Sequence, residues 1–294
     1  MSGFKLINLC FLYVKDPVAF RIGSVEVRWY GIILTAAMLV GLLLLIIMSK
    51  KKGISTDDVL ELFLWIIPLA VILARVIYVL ANNKEYGYFP IESWDDFVNC
   101  IAIWDGGITI YGGILGGILG ILIFCKRKKI SMGMVIDMLV PIMLLCQSIG
   151  RWGNFCNQEA YGQLVLNEKL HTLPFAVYID SFHVAAGQVA GWYQATFLYE
   201  AIFNFCGAIL TFFLWRKNKV DGALAFLYIV WYCVIRLILD HLRVDGLPST
   251  KIACVILIPV CTALGIIYYR RGLKKLDHDK ALREVEEMLA DENN

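Results

Sequence analysis

Charged residues are scarce in this sequence, and their scarcity argues against an ordinary soluble protein. Asp, Glu, Lys and Arg make up 18% of the 294 residues, against roughly 25% in typical soluble domains. Hydrophobic residues make up 59%, and the mean hydropathy is +0.68. The basic residues form short separated clusters without an extended face, so nucleic acid is not an expected partner. The composition predicts a polytopic protein embedded in a lipid bilayer.

Motifs of several chemical classes are absent as well. The nine cysteines include no C-x-x-C pair and the four histidines are scattered, so we expect neither a disulfide framework nor a metal site. There is no G-x-S-x-G and no H-E-x-x-H sequence, which leaves hydrolases of those kinds without support. The first long apolar run begins near Trp29 and ends in three lysines, so a cleavable signal peptide is not expected.

Long apolar segments dominate what the sequence does contain. Seven of them approach or exceed the length of about 20 residues that a helix needs to cross a bilayer. If none is re-entrant, the fold is an all-α polytopic membrane protein with seven transmembrane helices. The segments are 29–49, 59–81, 107–125, 132–151, 194–215, 222–242 and 252–270.

The distribution of Lys and Arg between these segments predicts the orientation of the chain. With seven spans, four basic clusters all fall on one side of the membrane. Cytoplasmic loops carry the excess of basic residues, so we expect the N-terminus outside and the C-terminus in the cytoplasm. The clusters lie within residues 50–52, 126–129, 216–219 and 270–275.

The remaining parts complete the predicted domain organisation. Residues 1–28 mix aromatic and charged side chains and are expected to lie on the membrane surface, with a disordered leader as the alternative. Residues 29–270 form the transmembrane domain, which includes a small outer head at 153–193 where residues 175–179 could pair as a strand. Residues 271–294 are expected to form a short cytoplasmic helix with a frayed end.

Glycine is concentrated around the third span. One helix face repeats glycine every four residues, which lets a neighbouring helix approach closely, and a second, shorter face lies beside it. Gly106 and Gly107 precede the span at its outer mouth, where close approach of a ligand is as plausible as packing. The first face comprises Gly112, Gly116 and Gly120, and the second comprises Gly113 and Gly117.

Almost all ionisable side chains within the spans fall in the outer half of the predicted bilayer; only Asp137 lies elsewhere. A charge at the bilayer centre costs about 2.5–3.5 kcal/mol on insertion scales, so each should have a partner or a task. A cluster at one depth favours a site for an anionic lipid headgroup, whereas an ion path would place charges at mid-depth or on both sides. The cluster comprises Arg75, Arg151, Glu200, Arg236, Asp240 and Arg243.

The sixth span contributes the most charges to this cluster. Arg236 and Arg243 are seven residues apart and are predicted to share a helix face, with Asp240 beside both. Two or three arginines could neutralise a phosphate, while neighbouring carboxylates orient the planar guanidinium groups of those arginines. Two alternatives remain open. Arg75 and Glu200 could simply pair and hold spans together, and Arg243 could snorkel to the interface.

The stretch at residues 150–162, GRWGNFCNQEAYG, adds polar side chains at the outer end of the fourth span. Arg151 is followed by Asn154, Asn157 and Glu159. An arginine beside amides suits a phosphate, because its planar fork meets oxygens bidentately. The alternative is a helix end with a snorkelling arginine and a polar turn.

The same stretch resembles the G-R-x-G-N-F-x-N-x-E-x-x-G box of the prolipoprotein diacylglyceryl transferases, a family of bacterial enzymes. The similarity extends over nearly all of residues 20–270, including residues 104–107 and 196–200. The chain departs from the family pattern at Tyr111, where many members have a histidine, and at Asp240, where glutamate is usual. The family's Y-x-x-x-R pattern and its downstream arginine are matched by Tyr232, Arg236 and Arg243.

The resemblance implies an enzyme of the bacterial cell membrane with its active site near the outer leaflet. It would transfer the diacylglyceryl group of phosphatidylglycerol to the thiol of the lipobox cysteine that follows a prolipoprotein signal peptide. A thioether would form and glycerol phosphate would leave, without a metal or organic cofactor. The alternative is a membrane transporter or channel for an anionic solute, which would predict inverted repeats and helices broken at mid-depth.

The resemblance also implies roles for particular residues. Arg151 and Arg236 would stabilise charge on the leaving phosphate, and Tyr111 would assist the thiol or orient the lipid, which makes these three the candidate catalytic residues. Glu159 and Glu200 would hold the arginines. The candidate substrate-binding residues are Tyr30, Gly106, Gly107, Asn154, Asn157, Glu159, Glu200, Tyr232, Asp240 and Arg243.

Overall fold

The computed structural model of the chain describes residue 14 and residues 16–23, 25–103, 106–243 and 248–292. Within these residues, seven helices are long and apolar enough to cross a membrane, in agreement with the seven predicted spans. The helices are α1 (Trp29–Lys50), α2 (Thr56–Tyr86), the short α3 (Trp94–Ile101), α4 (Ile110–Lys128), α5 (Met132–Cys156), α6 (Thr196–Lys217), α7 (Ala223–Leu242) and α8 (Pro248–Glu292). The strands form two antiparallel pairs, β1 (Val18–Ile22) with β2 (Val25–Arg28) and β3 (Ala176–Ile179) with β4 (Gly191–Gln194).

The chain divides into two compact units. The smaller unit is Leu44–Val135, and the larger unit comprises Met1–Leu43 together with Ile136–Asn294. The smaller unit contains α2, α3 and α4, whereas the larger contains most of α1, all of α6 to α8 and both strand pairs. Among the predicted site residues, Gly106, Gly107 and Tyr111 belong to the smaller unit and all the others belong to the larger.

In the smaller unit, α2 and α4 pack along the first glycine face. A Cβ built on Gly116 would lie 2.5 Å from the carbonyl carbon of Leu69 and 2.6 Å from the Cα of Ala70. The two backbones are therefore in direct contact, as the four-residue glycine repeat predicted. A Cβ built on Gly113 or Gly117 meets no described atom within 4 Å, so the second predicted face takes no part in packing among these residues.

Replacing Gly116 by alanine is expected to destabilise the protein by about 1–3 kcal/mol, because the added methyl group would force the two backbones apart. Gly117→Ala is the matched control, since it places the same methyl group in open space on the same helix. Alanine is a better helix former than glycine, so the control should be neutral or stabilised by up to about 1 kcal/mol. Thermal unfolding of both purified variants provides the comparison, and equal melting temperatures would contradict the packing role of Gly116.

In the larger unit, the buried Asp137 on α5 caps the start of α7. One carboxylate oxygen accepts a hydrogen bond from the Leu224 N–H at 3.0 Å. The other accepts from the Gly222 N–H at 2.9 Å and from the Asn218 side chain at 2.7 Å. The first N–H groups of a helix lack partners within the helix and carry its positive dipole end, so a carboxylate stabilises them. The one ionisable span residue predicted to lie apart from the others therefore anchors a helix.

The segment predicted to form a small head folds around the β3–β4 pair. Ala176 lies opposite Gln194 and Ile179 lies opposite Gly191. The strand predicted within residues 175–179 is therefore confirmed. Aromatic and aliphatic side chains form its core, namely Tyr161, Val177, Ile179, Tyr193, Ala195 and Phe197.

Within this head, a polar bridge joins the turn that follows α5 to the end of β3. The Gln158 side chain accepts a hydrogen bond from the Asp180 N–H at 2.9 Å and donates one to the Asp180 carboxylate at 3.0 Å. Burial by itself would raise the pKa of Asp180, but hydrogen bonds from His183, Gln158 and the Phe182 N–H outweigh it and hold the pKa below its usual range. Because folding lowers this pKa, the bridge contributes stability at neutral pH that is lost as the pH falls through the folded value.

The predicted N-terminal segment and the predicted C-terminal tail each adjoin a long helix. The β1–β2 hairpin leads directly into α1, and residues 1–13 lie outside the described part of the chain. At the other end, α8 runs without a break through the seventh predicted span and the predicted tail to Glu292. The surface location of residues 1–28 and the cytoplasmic location of residues 271–294 stay predictions.

Candidate active site

Arg151 lies near the end of α5 and reaches a buried carboxylate on α6. Its Nη2 is 2.5 Å from Oε1 of Glu200, and its Nη1 donates to the Asn154 side-chain oxygen at 3.1 Å. The side chain of Glu200 is 5% exposed, whereas that of Arg151 is 24% exposed. These two partners occupy two of the five N–H donors of the guanidinium. The buried Glu200 therefore fixes the position of Arg151, and part of the Arg151 guanidinium group stays exposed.

The turn after α5 supports the same arginine through a second acid. Asn154 donates to Glu159 at 2.7 Å, and Asn157 donates to the same oxygen at 3.4 Å. Gln158 and Ala160 have positive φ values of 53° and 57°, which turn the chain back so that Glu159 faces the helix end. We expected Glu159 and Glu200 to hold the arginines. Glu200 contacts Arg151 directly, whereas Glu159 acts on it through Asn154.

Arg236 and Asp240 form a second charged pair one helical turn apart on α7. Arg236 Nη2 is 3.0 Å from Oδ1 of Asp240, and the two side chains are 15% and 1% exposed. The alignment is poor: among the described residues, neither Asp240 oxygen nor Arg236 Nε has a well-aligned hydrogen bond. Buried charges without such bonds are costly. Arg236 Nε therefore remains a donor without an aligned partner among these residues, whereas the Asp240 oxygens can only accept hydrogen bonds.

Tyr232 lies near both charged pairs. Its phenol lies within electrostatic range of Arg236 on its own helix and of both Glu200 and Arg151. The ring also stacks on Tyr228, with centroids 6.4 Å apart. Arg151 and Arg236 come from different helices, α5 and α7, yet they share this neighbour. The convergence of the two arginines on one phosphate stays a prediction.

Arg243 and Tyr30 contact the same region through backbone and ring. Arg243 follows the last turn of α7 with extended backbone and pairs with Gly162 of the 150–162 stretch. Arg236 and Asp240 share a helix face as predicted, whereas Arg243 is the residue directly after α7 and its place on that face stays a prediction. The Tyr30 ring packs on Gly153, where a Cβ would lie 2.5 Å from the ring.

In the smaller unit, Arg75 is satisfied by main-chain carbonyls. Its Nη1 donates to Gly106 and Gly107 at 2.8 Å each, and its Nε and Nη2 donate to Cys100 at 2.9 Å and Asn99 at 2.6 Å. Gly106 and Gly107 have φ values of 90° and 74°, a conformation that suits glycine. Arg75 thus holds the turn that leads into α4.

Two expectations from the sequence concern the partner of Arg75 and the role of Tyr111. Arg75 bonds to backbone carbonyls of the smaller unit and Glu200 bonds to Arg151 of the larger unit, so each has partners within its own unit and neither needs the other. Tyr111 lies in the first turn of α4 and is 73% exposed. Its role, and ligand contact by Gly106 and Gly107, stay predictions.

A polar pair deeper in the larger unit was not predicted from the sequence. Gln147 donates to the Tyr228 hydroxyl at 2.7 Å, and its buried side-chain oxygen has no partner among the described residues. Gln147 lies one turn before Arg151, and Tyr228 lies one turn before Tyr232. This helical spacing is visible in the sequence, but a neutral amide within a span indicates a site less strongly than an ionisable group does.

The helices and this charged region define the class of protein: a multi-pass membrane protein whose larger unit holds two arginine–carboxylate pairs around one tyrosine. A family model described as prolipoprotein diacylglyceryl transferase matches residues 17–269. The chain belongs to the prolipoprotein diacylglyceryl transferase family, which confirms the resemblance seen at residues 150–162.

Individual relatives are similar over most of their length, and the three that follow are named phosphatidylglycerol–prolipoprotein diacylglyceryl transferase. The protein of Ligilactobacillus salivarius (strain UCC118) is 36% identical over 272 residues, which cover 89% of this chain and 95% of the relative. That of Bacillus velezensis is 38% identical over 260 residues, covering 87% and 92%. That of Listeria monocytogenes serotype 4b is 36% identical over 269 residues, covering 87% and 90%.

Proposed function

We propose that this protein transfers the diacylglyceryl group of phosphatidylglycerol to the cysteine thiol of a prolipoprotein. The sulfur attacks the glyceryl carbon that carries the phosphate, a carbon–sulfur bond forms and the carbon–oxygen bond breaks. The bonding electrons leave with glycerol phosphate, which also takes up the thiol proton in the overall balance. Family membership supports this reaction, and the observation that carries the site is the pair of arginines around Tyr232.

Arg151 and Arg236 are proposed to stabilise the leaving phosphate. As the carbon–oxygen bond breaks, the bonding electrons give the phosphate a second negative charge, which persists until the leaving group takes up the thiol proton. Donors fixed in advance at the place where charge develops are the largest single term in many enzymes. Glu200 and Asp240 fix these two guanidinium groups before substrate arrives, and each guanidinium retains N–H groups for phosphate oxygens.

The surrounding residues are proposed to bind the headgroup and the thiol. Asn154, Tyr30 and Arg243 would hold the glycerol phosphate, while Glu159 and Asn157 keep Asn154 in place. The remaining assignments follow from the family resemblance. Tyr111 would assist the thiol or orient the lipid, Gly106 and Gly107 would allow close approach of substrate, and Tyr232 would line the phosphate site.

The membrane topology belongs to the same proposal. Positive-inside loop charges support an N-terminus outside and a C-terminus in the cytoplasm. With that orientation, the end of α5 and the end of α7 lie towards the outer leaflet of a bacterial cell membrane. A secreted prolipoprotein would present its lipobox cysteine on that side.

The test uses purified protein, phosphatidylglycerol labelled in its headgroup glycerol, and a lipobox peptide. The expected products are a peptide carrying a diacylglyceryl thioether and labelled glycerol phosphate in equal amounts. A peptide with serine in place of cysteine is the control and should release no label. Absence of both products, together with movement of an anionic solute across liposomes, would favour the transporter alternative.

A further inference from the structure

The larger unit contains a groove of about 570 Å³ between the end of α6, the start of α7 and the middle of α8. Its walls are mainly apolar and include Leu214 from α6, Leu227 from α7 and Ile266 from α8. Small-molecule sites in proteins have volumes of about 300–1,000 Å³, so the groove is large enough for a ligand. It lies where the basic clusters 216–219 and 270–275 flank the helices.

Two cationic side chains line this groove, and none of the described residues that line it is acidic. They are Lys217, the last residue of α6, and Arg270 on α8. Both are exposed, and within the described residues neither forms an ion pair. The neighbouring Asn218 side chain is already occupied by Asp137 and the Val220 carbonyl. The two cations are therefore available to an anionic ligand.

Packing holds the walls of the groove in place. A Cβ built on Gly265 would lie 2.9 Å from the Cβ of Phe226, so α7 and α8 approach closely. The Tyr268 hydroxyl donates to the Asp221 carbonyl at 2.8 Å, and Asp137 caps the start of α7. The groove is thus formed without a ligand, and binding would require little reorganisation.

We propose that this groove binds one anionic phospholipid, with its acyl chains along the apolar walls and its phosphate between Lys217 and Arg270. The helices that form it are long and apolar enough to span a membrane, so the apolar walls face lipid tails. A basic pocket between transmembrane helices attracts acidic lipid headgroups, and positive-inside loop charges assign this pocket to the cytoplasmic leaflet.

This lipid site is separate from the proposed active site. Arg236 follows the lining residues Val230 and Leu224 by six and twelve positions on α7, which corresponds to about 9 and 18 Å at the helical rise of 1.5 Å per residue, and the cations that would hold the phosphate lie at the Leu224 end. A lipid held here is therefore not the one positioned for transfer, and the inference does not rest on the proposed reaction.

Native mass spectrometry of the full chain, released from nanodiscs containing phosphatidylserine and phosphatidylcholine, tests the inference. The test variant combines Lys217→Gln and Arg270→Gln. The matched control combines Lys51→Gln and Lys52→Gln, which removes the same charge from another basic cluster. Arg236→Ala is included so that lipid at the proposed active site is counted separately.

The unchanged protein, the control and Arg236→Ala should each retain a bound phosphatidylserine. The Lys217→Gln/Arg270→Gln variant should bind it about 10- to 30-fold more weakly while melting at the same temperature. Equal retention by this variant and the control would overturn the proposal. So would equal retention of phosphatidylcholine by the unchanged protein, because the groove would then not select for charge.

Discussion

Replacing Arg236 by alanine is expected to lower kcat/KM for thioether formation by about 10²–10³-fold. Loss of one preorganised donor to a developing oxyanion costs about 2.7–4 kcal/mol in other enzymes. Arg236 is largely buried and its Nε has no aligned partner among the described residues, so alanine removes a donor that it cannot replace. Initial rates with phosphatidylglycerol and a lipobox peptide provide the measurement. Arg151→Ala should behave in the same way.

Arg127→Ala is the control for this prediction. Its side chain is 63% exposed, and its ion pair with Glu61 is worth at most about 1 kcal/mol, so its activity should match the unchanged protein. Arg236→Lys refines the test, because lysine keeps the charge but loses the planar fork. Activity of Arg236→Ala within a few-fold of the Arg127→Ala control would refute the role in phosphate stabilisation.

Replacing Glu200 by alanine should destabilise the protein by about 3 kcal/mol and also reduce transfer. Removing one partner of a buried ion pair leaves an uncompensated charge, at a cost of about 3–5 kcal/mol. Arg151 is about a quarter exposed, so water compensates part of its charge and the lower end of that range applies. Unfolding in detergent measures the stability, and the peptide assay measures transfer.

Glu61→Ala is the matched substitution at the surface. Glu61 pairs with Arg127 and Lys128, but its side chain is 27% exposed against 5% for Glu200, so its loss should destabilise the protein less. Similar unfolding of the two alanine variants would show that Glu200 does not hold a buried charge. Full activity of Glu200→Ala would separately contradict its role in aiming Arg151.

The spans and several contacts within single elements were predictable because they depend on local sequence. Apolar runs of membrane length set the seven helices, and spacing of four residues placed Asp240 beside Arg236 and Gly116 on a packing face. The alternation in residues 175–179 indicated a strand that pairs with β4. In each case the pattern lies within one element and follows from its period.

Long-range partners were not predictable from these patterns. Arg75 bonds to four backbone carbonyls, and backbone acceptors carry no sequence signal. Asp137 caps a helix more than 80 residues away, and Gln147 meets Tyr228 at a separation of 81 residues. The pairing of Arg243 with Gly162 joins residues 81 positions apart, and no local pattern announces it.

The most direct test of the shared phosphate site is a double-mutant cycle on Arg151 and Arg236. kcat/KM is measured for Arg151→Lys, for Arg236→Lys and for the double variant, using phosphatidylglycerol and a lipobox peptide. If both guanidinium groups act on one phosphate, the double variant should lose little more than the worse single variant, with a coupling free energy of about 0.5–3 kcal/mol. Losses that simply multiply would mean that the two arginines act independently, and would contradict a common phosphate between them.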